Sequence, residues 1–184
     1  MNNDDLRICY IGTLSKWQGV YQAIRALEQL ESANFLLHIL SPSKGRREFE
    51  KWLEKRSISE KVSFLEPLDK PQLRNFLSQQ DVGLAPLIPC ERNLIQGCMP
   101  IKILDYMAAG LTVVASDIPV SRHLLGDNGV YYQPYSTTSL GQSFERLFAE
   151  RSNNSARLNL KRVKDRFSGQ QQSAALFNLY QQFL

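Results

Sequence analysis

The sequence predicts an α/β fold built on a mainly parallel sheet. Short apolar, β-branched runs alternate with amphipathic helical segments along the chain, the pattern of strands joined by crossover helices. The run at 112–115, Thr-Val-Val-Ala, is what a strand covered on both faces looks like. The first apolar run leads through a glycine-bearing loop straight into a helix, and in an open parallel sheet such loops at the carboxyl ends of strands carry ligands.

Composition sets the outer limits. At 184 residues the chain can bury one substantial core, and 43% hydrophobic residues is ordinary for a globular protein. No apolar run approaches the ~20 residues that span a bilayer. The first five residues, Met-Asn-Asn-Asp-Asp, are polar and acidic, unlike a signal peptide, so a cytoplasmic protein is expected. Cys9, Cys90 and Cys98 show neither metal-ligand spacing nor a disulfide framework. The net charge of +4 permits an anionic ligand without requiring one.

In chain order, residues 7–11 form the first strand, with Cys9 in the core, and 12–19 the loop. Within that loop Gly12 lets a ligand approach the backbone and Lys16 offers charge to a phosphate, although the spacing alone favours a plain turn with a solvated lysine. A helix follows over 20–30. The second strand covers 34–40, with His38 as a core or strand-end residue. Residues 46–55 make a charged helix whose apolar stripe is Phe49, Trp52 and Leu53. The third strand is 62–65. Asp69 is an N-cap candidate for a helix over 72–78. The fourth strand, 81–86, ends at Pro86, where a proline is tolerated. A loop over 87–99 is long enough to suggest function.

The segment 97–116 organises the rest. Pro100 suits the first position of a short helix, and Gly110 suits the left-handed position just past its end. Ile101, Leu104 and Ala108 share a face, with Ile103 and Met107 beside them. Lys102 and Asp105 interrupt this apolar pattern three positions apart. Both lie near the helix N-terminus, where unpaired N–H groups and the helix dipole attract anions, and no Ser, Thr, Asp or Asn precedes Pro100 to cap them. A ligand phosphate could cap them instead, with Lys102 adding charge and Asp105 accepting sugar hydroxyls. An exposed ion pair is the alternative. After the strand at 112–115, Asp117 suits an N-cap role and Pro119 an early helical position, with His123 on the surface of that helix. Residues 126–129 turn into a last strand at 130–132. Helices follow at 140–150, 156–167 and 168–184, the last with Ala175, Leu176, Leu179, Tyr180 and Phe183 along one side.

The run Pro-Ile-Lys-Ile-Leu-Asp-Tyr-Met-Ala-Ala-Gly-Leu-Thr-Val-Val-Ala-Ser at 100–116 resembles the signature of GT-B glycosyltransferases, in particular retaining family 4, glycosyltransferase group 1. Their donor-binding domain carries Pro-x-Lys-x-x-Glu-Tyr-Met-Ala-x-Gly-x-Pro-Val-Val-Ala-Ser. Asp105 stands where the family usually has Glu. Residues 81–86 are similarly close to the family's fourth strand. The resemblance implies a Rossmann-like α/β/α sandwich of about six parallel strands plus C-terminal helices. It extends from about residue 7 to 184, which makes residues 1–184 one Rossmann-like domain, the carboxyl half of a two-domain enzyme whose amino-terminal acceptor domain is absent.

The implied function is binding of a nucleoside-diphosphate sugar, the donor for transfer to an acceptor hydroxyl with retention at the anomeric carbon. Gly12, Thr13, Lys16, Gln18, Met99, Pro100, Ile101 and Lys102 would surround the phosphates and sugar, with backbone N–H groups at Met99 and Ile101, and Asp105 would hold the ribose. No metal or other cofactor and no nucleic acid is expected. The acceptor, whether glycan, lipid or small molecule, would be chosen mainly by the missing half, as would any membrane contact. The catalytic residues are not legible, and the domain alone is expected to be inactive. Three positions depart from the family. Thr13 and Gln18 replace a loop Arg and Lys, and Gly97 stands eight residues before Asp105, where the family has an acid. Glu91 is nearby but out of register. A degenerate nucleotide-binding or interaction module of the same fold therefore stands as the alternative.

Overall fold

The computed structural model describes residues 5–30, 33–149 and 154–181. Six strands form one sheet: β1 (Leu6–Ile11), β2 (Phe35–Leu40), β3 (Val62–Leu65), β4 (Val82–Ala85), β5 (Thr112–Ser116) and β6 (Val130–Tyr132). Their spatial order is β3-β2-β1-β4-β5-β6 and every pairing is parallel. This is the parallel α/β sheet that the alternating pattern predicts and the Rossmann-like architecture that the resemblance implies. Chain order reverses between β1 and β4, and that is where an open sheet leaves a crevice for ligands.

The helices are α1 (Val20–Glu28), α2 (Arg46–Leu53), α3 (Lys70–Leu77), α4 (Glu91–Leu94), α5 (Ile101–Ala108), α6 (Pro119–Leu125), α7 (Thr137–Ala149), α8 (Ser155–Phe167) and α9 (Gly169–Gln181). Helices α1, α2 and α7 close one core with Ile8, Tyr10, Leu84 and Val114. Helices α3, α5, α6 and α8 close the other with Cys9, Val113 and Ala115. Successive residues of β1 and β5 thus feed opposite faces, and all of β5 is buried, which is why its sequence is apolar without alternation. Burial pushes the Cys9 thiol well above its ordinary range. Among the described residues no helix is long and apolar enough to cross a membrane.

Several local signals read as expected. Asp69 caps α3 through the Gln72 N–H at 2.8 Å, and Gln72 returns the bond in a capping box. Gly110 has φ +72°, and the bonds Gly110 N–H to Met107 O and Leu111 N–H to Tyr106 O close α5 in a Schellman motif. His38 is half-buried in β2, bonded to Gln80 and edge-on to Phe76.

Other expectations are corrected. Pro100 is the N-cap of α5 rather than its first helical residue, because its backbone is extended at ψ 92°. The buried face of α5 is Lys102, Ile103, Tyr106 and Met107, while Ile101 is 67% exposed and Ala108 also faces outward. This helix is apolar nearly all round, so period alone does not choose its inner face. The Tyr106 hydroxyl chooses it by bonding into the sheet. Residues 87–99 contain the short helix α4 rather than loop alone. Asp117 does not cap α6, whose N-cap is Ile118; it holds Arg122 in a two-point pair at 2.6 and 2.7 Å. The apolar stripe assigned to Ala175, Leu176, Leu179, Tyr180 and Phe183 lies outside the described side chains.

Tyr106 shapes the crevice itself. The last paired residues of β1 and β4 are Cys9 and Gly83. Beyond them the strands are bridged by the Tyr106 hydroxyl, which accepts from Ile11 N–H at 2.8 Å and faces the Leu84 carbonyl at 3.4 Å. The ring lies directly on Gly83, where an added Cβ would sit 2.2 Å from the ring carbon Cγ. Gly83→Ala therefore has no room without displacing α5. It should destabilise the fold by about 2 kcal/mol, read as a lower urea midpoint.

Candidate functional site: the crevice between β1 and β4

Four residues converge at the carboxyl ends of β1 and β4. Gly12 follows β1 with φ +145°, and a Cβ there would lie 2.8 Å from Lys102 Nζ and 3.1 Å from the Tyr10 hydroxyl. Glycine is needed both for the backbone angle and for the approach of the lysine. Lys102, in the first turn of α5, donates to Gln18 Oε1 at 2.6 Å and stands 4.2 Å above the centre of the Tyr10 ring. It is only 8% exposed.

The setting of that amine decides its chemistry. Among the described residues no carboxylate pairs with it. Burial lowers its pKa to about 7, partly offset by the nearby Cys98 thiol. The exposed Lys102–Asp105 ion pair weighed from spacing does not form. No side chain caps the N-terminus of α5, and Lys102 is the second residue of that helix. Neutral Gln18, which stands where the resemblance implies a lysine, accepts from Lys102 rather than repelling it.

Around this centre the loops are stitched together. Trp17 O accepts from Ile88 N–H at 3.0 Å, and the buried Asn93 amide donates to Trp17 O and to Ile88 O at 3.3 and 2.7 Å. Gly19 is packed so closely that a Cβ would meet the Pro86 carbonyl. Ser116 at the end of β5 donates to Leu87 O at 2.6 Å. The segment after β4 is thereby pinned to both the first loop and β5.

The remaining candidates separate. Thr13 is exposed, and its carbonyl accepts from the Tyr10 hydroxyl. Met99 and Ile101 sit exposed at the rim, flanking the buried Pro100. Lys16 lines a different cleft, beside α1. Glu91 is exposed at the start of α4, and Gly97 has φ +67°. Asp105 is half-buried in a cleft of about 340 Å³ between α3 and α5, with Lys70, Leu73, Arg74 and Leu77, and burial raises its carboxyl pKa. Reading the residues missed Tyr10, Asn93 and Tyr106. Each looks like ordinary strand, loop or helix filler, and only the fold reveals its hydrogen bonds.

The chain matches the model of the Glycosyl transferases group 1 family over residues 5–150, and it belongs to that family. A glycosyltransferase from Rickettsia africae superposes with a TM-score of 0.82 at 15% identity, covering 98% of this chain and 48% of that one. The C-terminal domain of a glycosyl transferase group 1 family protein, LpcC, from Francisella tularensis superposes with a TM-score of 0.71 at 12% identity, covering 89% and 87%. Anabaena Alr3699/HepE, solved in complex with UDP and glucose, gives a TM-score of 0.76 at 17% identity, covering 95% and 49%. At these identities the likeness carries the GT-B-type fold. The chain spans about half the length of the first and third of these structures. No curated protein matches the sequence.

Proposed function

We propose that the chain is the carboxyl-terminal, nucleotide-sugar-binding half of a retaining family 4 glycosyltransferase. The observation that carries this reading is the buried Lys102 ammonium, without a carboxylate partner, at an uncapped helix N-terminus on the switch point of the sheet. A buried cation there is completed by an anion from outside. The donor pyrophosphate fits that need, reaching Lys102 and the N–H groups near Ile101 past Gly12. Asp105, three residues along α5 and part of the wall of the α3–α5 cleft, accepts from the ribose hydroxyls. The UDP and glucose of the Anabaena structure support a ligand of this class.

In the reaction so read, the bond between the anomeric carbon and the diphosphate oxygen breaks. The electron pair goes to the leaving diphosphate, whose oxygen takes up the proton released as the acceptor hydroxyl bonds on the same face. Lys102 and the α5 N-terminus stabilise the charge growing on the diphosphate by positions fixed beforehand. They supply that charge without a metal, so a chelator should leave donor binding unchanged. Acceptor selection belongs to an amino-terminal half, and we place the enzyme in the cytoplasm with any membrane contact made by that half.

Thermal unfolding with a panel of nucleoside diphosphates and nucleotide sugars tests the reading. A ligand at ~100 times its dissociation constant stabilises by ~2.7 kcal/mol. A shift with one base, weakened about ten-fold in affinity by Asp105→Ala, is the expected result. The neutral residues Thr13 and Gln18, and the Gln18 amide already on Lys102, favour a second reading, a degenerate module of this fold. That reading predicts no shift with any member of the panel.

A further inference from the structure

A second cleft opens on the other side of the loop that carries Gln18. It encloses about 510 Å³ between the first turns of α1 and the segments after β4 and β6. Its walls present two cations, Lys16 and Arg25, one amide, Gln22, and three less polar surfaces, Tyr21, Ile88 and Tyr135. Lys16 and Arg25 are exposed, and among the described residues neither takes part in an ion pair. Burial, and secondarily Glu48 of α2, raises the pKa of the Tyr21 hydroxyl.

Tyr135 is held here at a cost. It is the one non-glycine residue among those described with positive φ, at +65°, a conformation that L-residues disfavour by about 1–3 kcal/mol. Its hydroxyl donates to Pro89 O at 2.9 Å, yet the residue stays 59% exposed. The ring is therefore fixed by both backbone and hydroxyl, with much of its surface offered to solvent. Its tether reaches the same post-β4 segment that Trp17 and Asn93 hold. The result is a rigid aromatic wall, an amide and two unpaired cations around one concave space.

We propose that this cleft binds a sugar carrying an anionic substituent, a phosphate or a carboxylate. The apolar face of the sugar ring packs on Tyr135, its hydroxyls bond to Gln22, and the anion pairs with Lys16 and Arg25. Aromatic rings supply rigid, amphipathic contact area, and arginine binds planar or tetrahedral oxyanions by paired N–H bonds. A free sugar phosphate and an acidic sugar within a glycan share this chemistry. The inference is independent of the donor site, since neither Lys102 nor Asp105 lines this cleft.

Backbone amide shifts of the 184-residue chain during titration test it, with glucose 6-phosphate, glucuronate, glucose and inorganic phosphate as probes. Shifts at Gly19, Gln22 and Ile88 with glucose 6-phosphate, glucuronate or both are expected, and the stronger of the two identifies the source. Lys16→Ala with Arg25→Gln, both exposed positions, should weaken that binding about ten-fold or more. Lys102→Ala should leave it unchanged, which separates its outcome from that of the donor site. No shifts at those amides with either acidic sugar at millimolar concentration would overturn the proposal. So would equal binding of glucose, or of inorganic phosphate, or binding that survives the double substitution.

Discussion

Lys102→Met should weaken the proposed nucleotide-sugar binding by about 100-fold or more and raise the stability of the unliganded chain. The two effects have one cause. The ammonium is buried against Tyr10 and Gly12 with only a neutral amide as partner. Removing a charge from water without a counter-ion costs free energy, and the depressed pKa of about 7 expresses that cost. The group's folded pKa lies below its unfolded value of 10.5, so the unfolded chain holds more protons between those two values. Its destabilising contribution is full below about pH 7 and disappears as pH rises towards 10.5. Methionine fills a similar volume without the charge, and such replacements at buried ionic sites stabilise by about 1–4 kcal/mol. The pyrophosphate loses its cation, which weakens binding by about 100-fold or more. Calorimetric titration and thermal unfolding of the same variant read both effects. Retained affinity, or a destabilised variant, would contradict this account of the crevice.

If the crevice holds the donor as proposed, its affinity should fall as pH rises above about 7. A pyrophosphate diester, as in a nucleotide sugar, does not itself titrate in this range. Its negative charge beside Lys102 favours the ammonium, so the amine's pKa is higher in the complex than the value of about 7 in the free chain. Binding then takes up a proton between the two values, and affinity weakens by up to about ten-fold per pH unit there. Titrations at pH 8 in buffers of different ionisation enthalpy should reveal uptake approaching one proton. Lys102→Met should erase that uptake in whatever binding remains. A flat affinity between pH 6 and 9 would show that the amine is not against the phosphates.

What the sequence made legible follows from which forces are local. The strands at 62–65 and 130–132 coincide with β3 and β6, and the cap at Asp69 and the stop at Gly110 stand where expected because those two depend on neighbouring residues alone. The inner face of α5 was not legible. Ile101, Ile103, Leu104, Tyr106 and Met107 offer apolar surface in most directions, and only long-range bonds from Tyr106 to Ile11 and Leu84 choose among them. Asp117 misled for the same reason: a local cap and a longer-range pair with Arg122 compete, and the pair wins.

In the crevice, residue type and spacing singled out Lys102 and Gly12 as candidates, but not the burial of Lys102 or the meeting of the two. Their meeting depends on the divergence of β1 and β4 beyond Gly83. Lys16 lies in the same loop as Gln18, two positions apart, yet the turn over Lys16–Gln18 sends them to different clefts. Charge counted along a sequence therefore overstates what one loop delivers to one ligand. Gln18 is the informative substitution. It keeps a hydrogen bond to Lys102 where a second lysine would have added repulsion in the free chain.

The most direct test of the central claim is to map backbone amide shifts while titrating the 184-residue chain with nucleotide sugars and their nucleoside diphosphates. The account predicts that one of these ligands perturbs Gly12, Gln18, Ile101 and Lys102 together, with Asp105 responding to the nucleoside part alone. Perturbations confined to other surfaces, or none with any ligand at millimolar concentration, would contradict the claim that this crevice holds the donor.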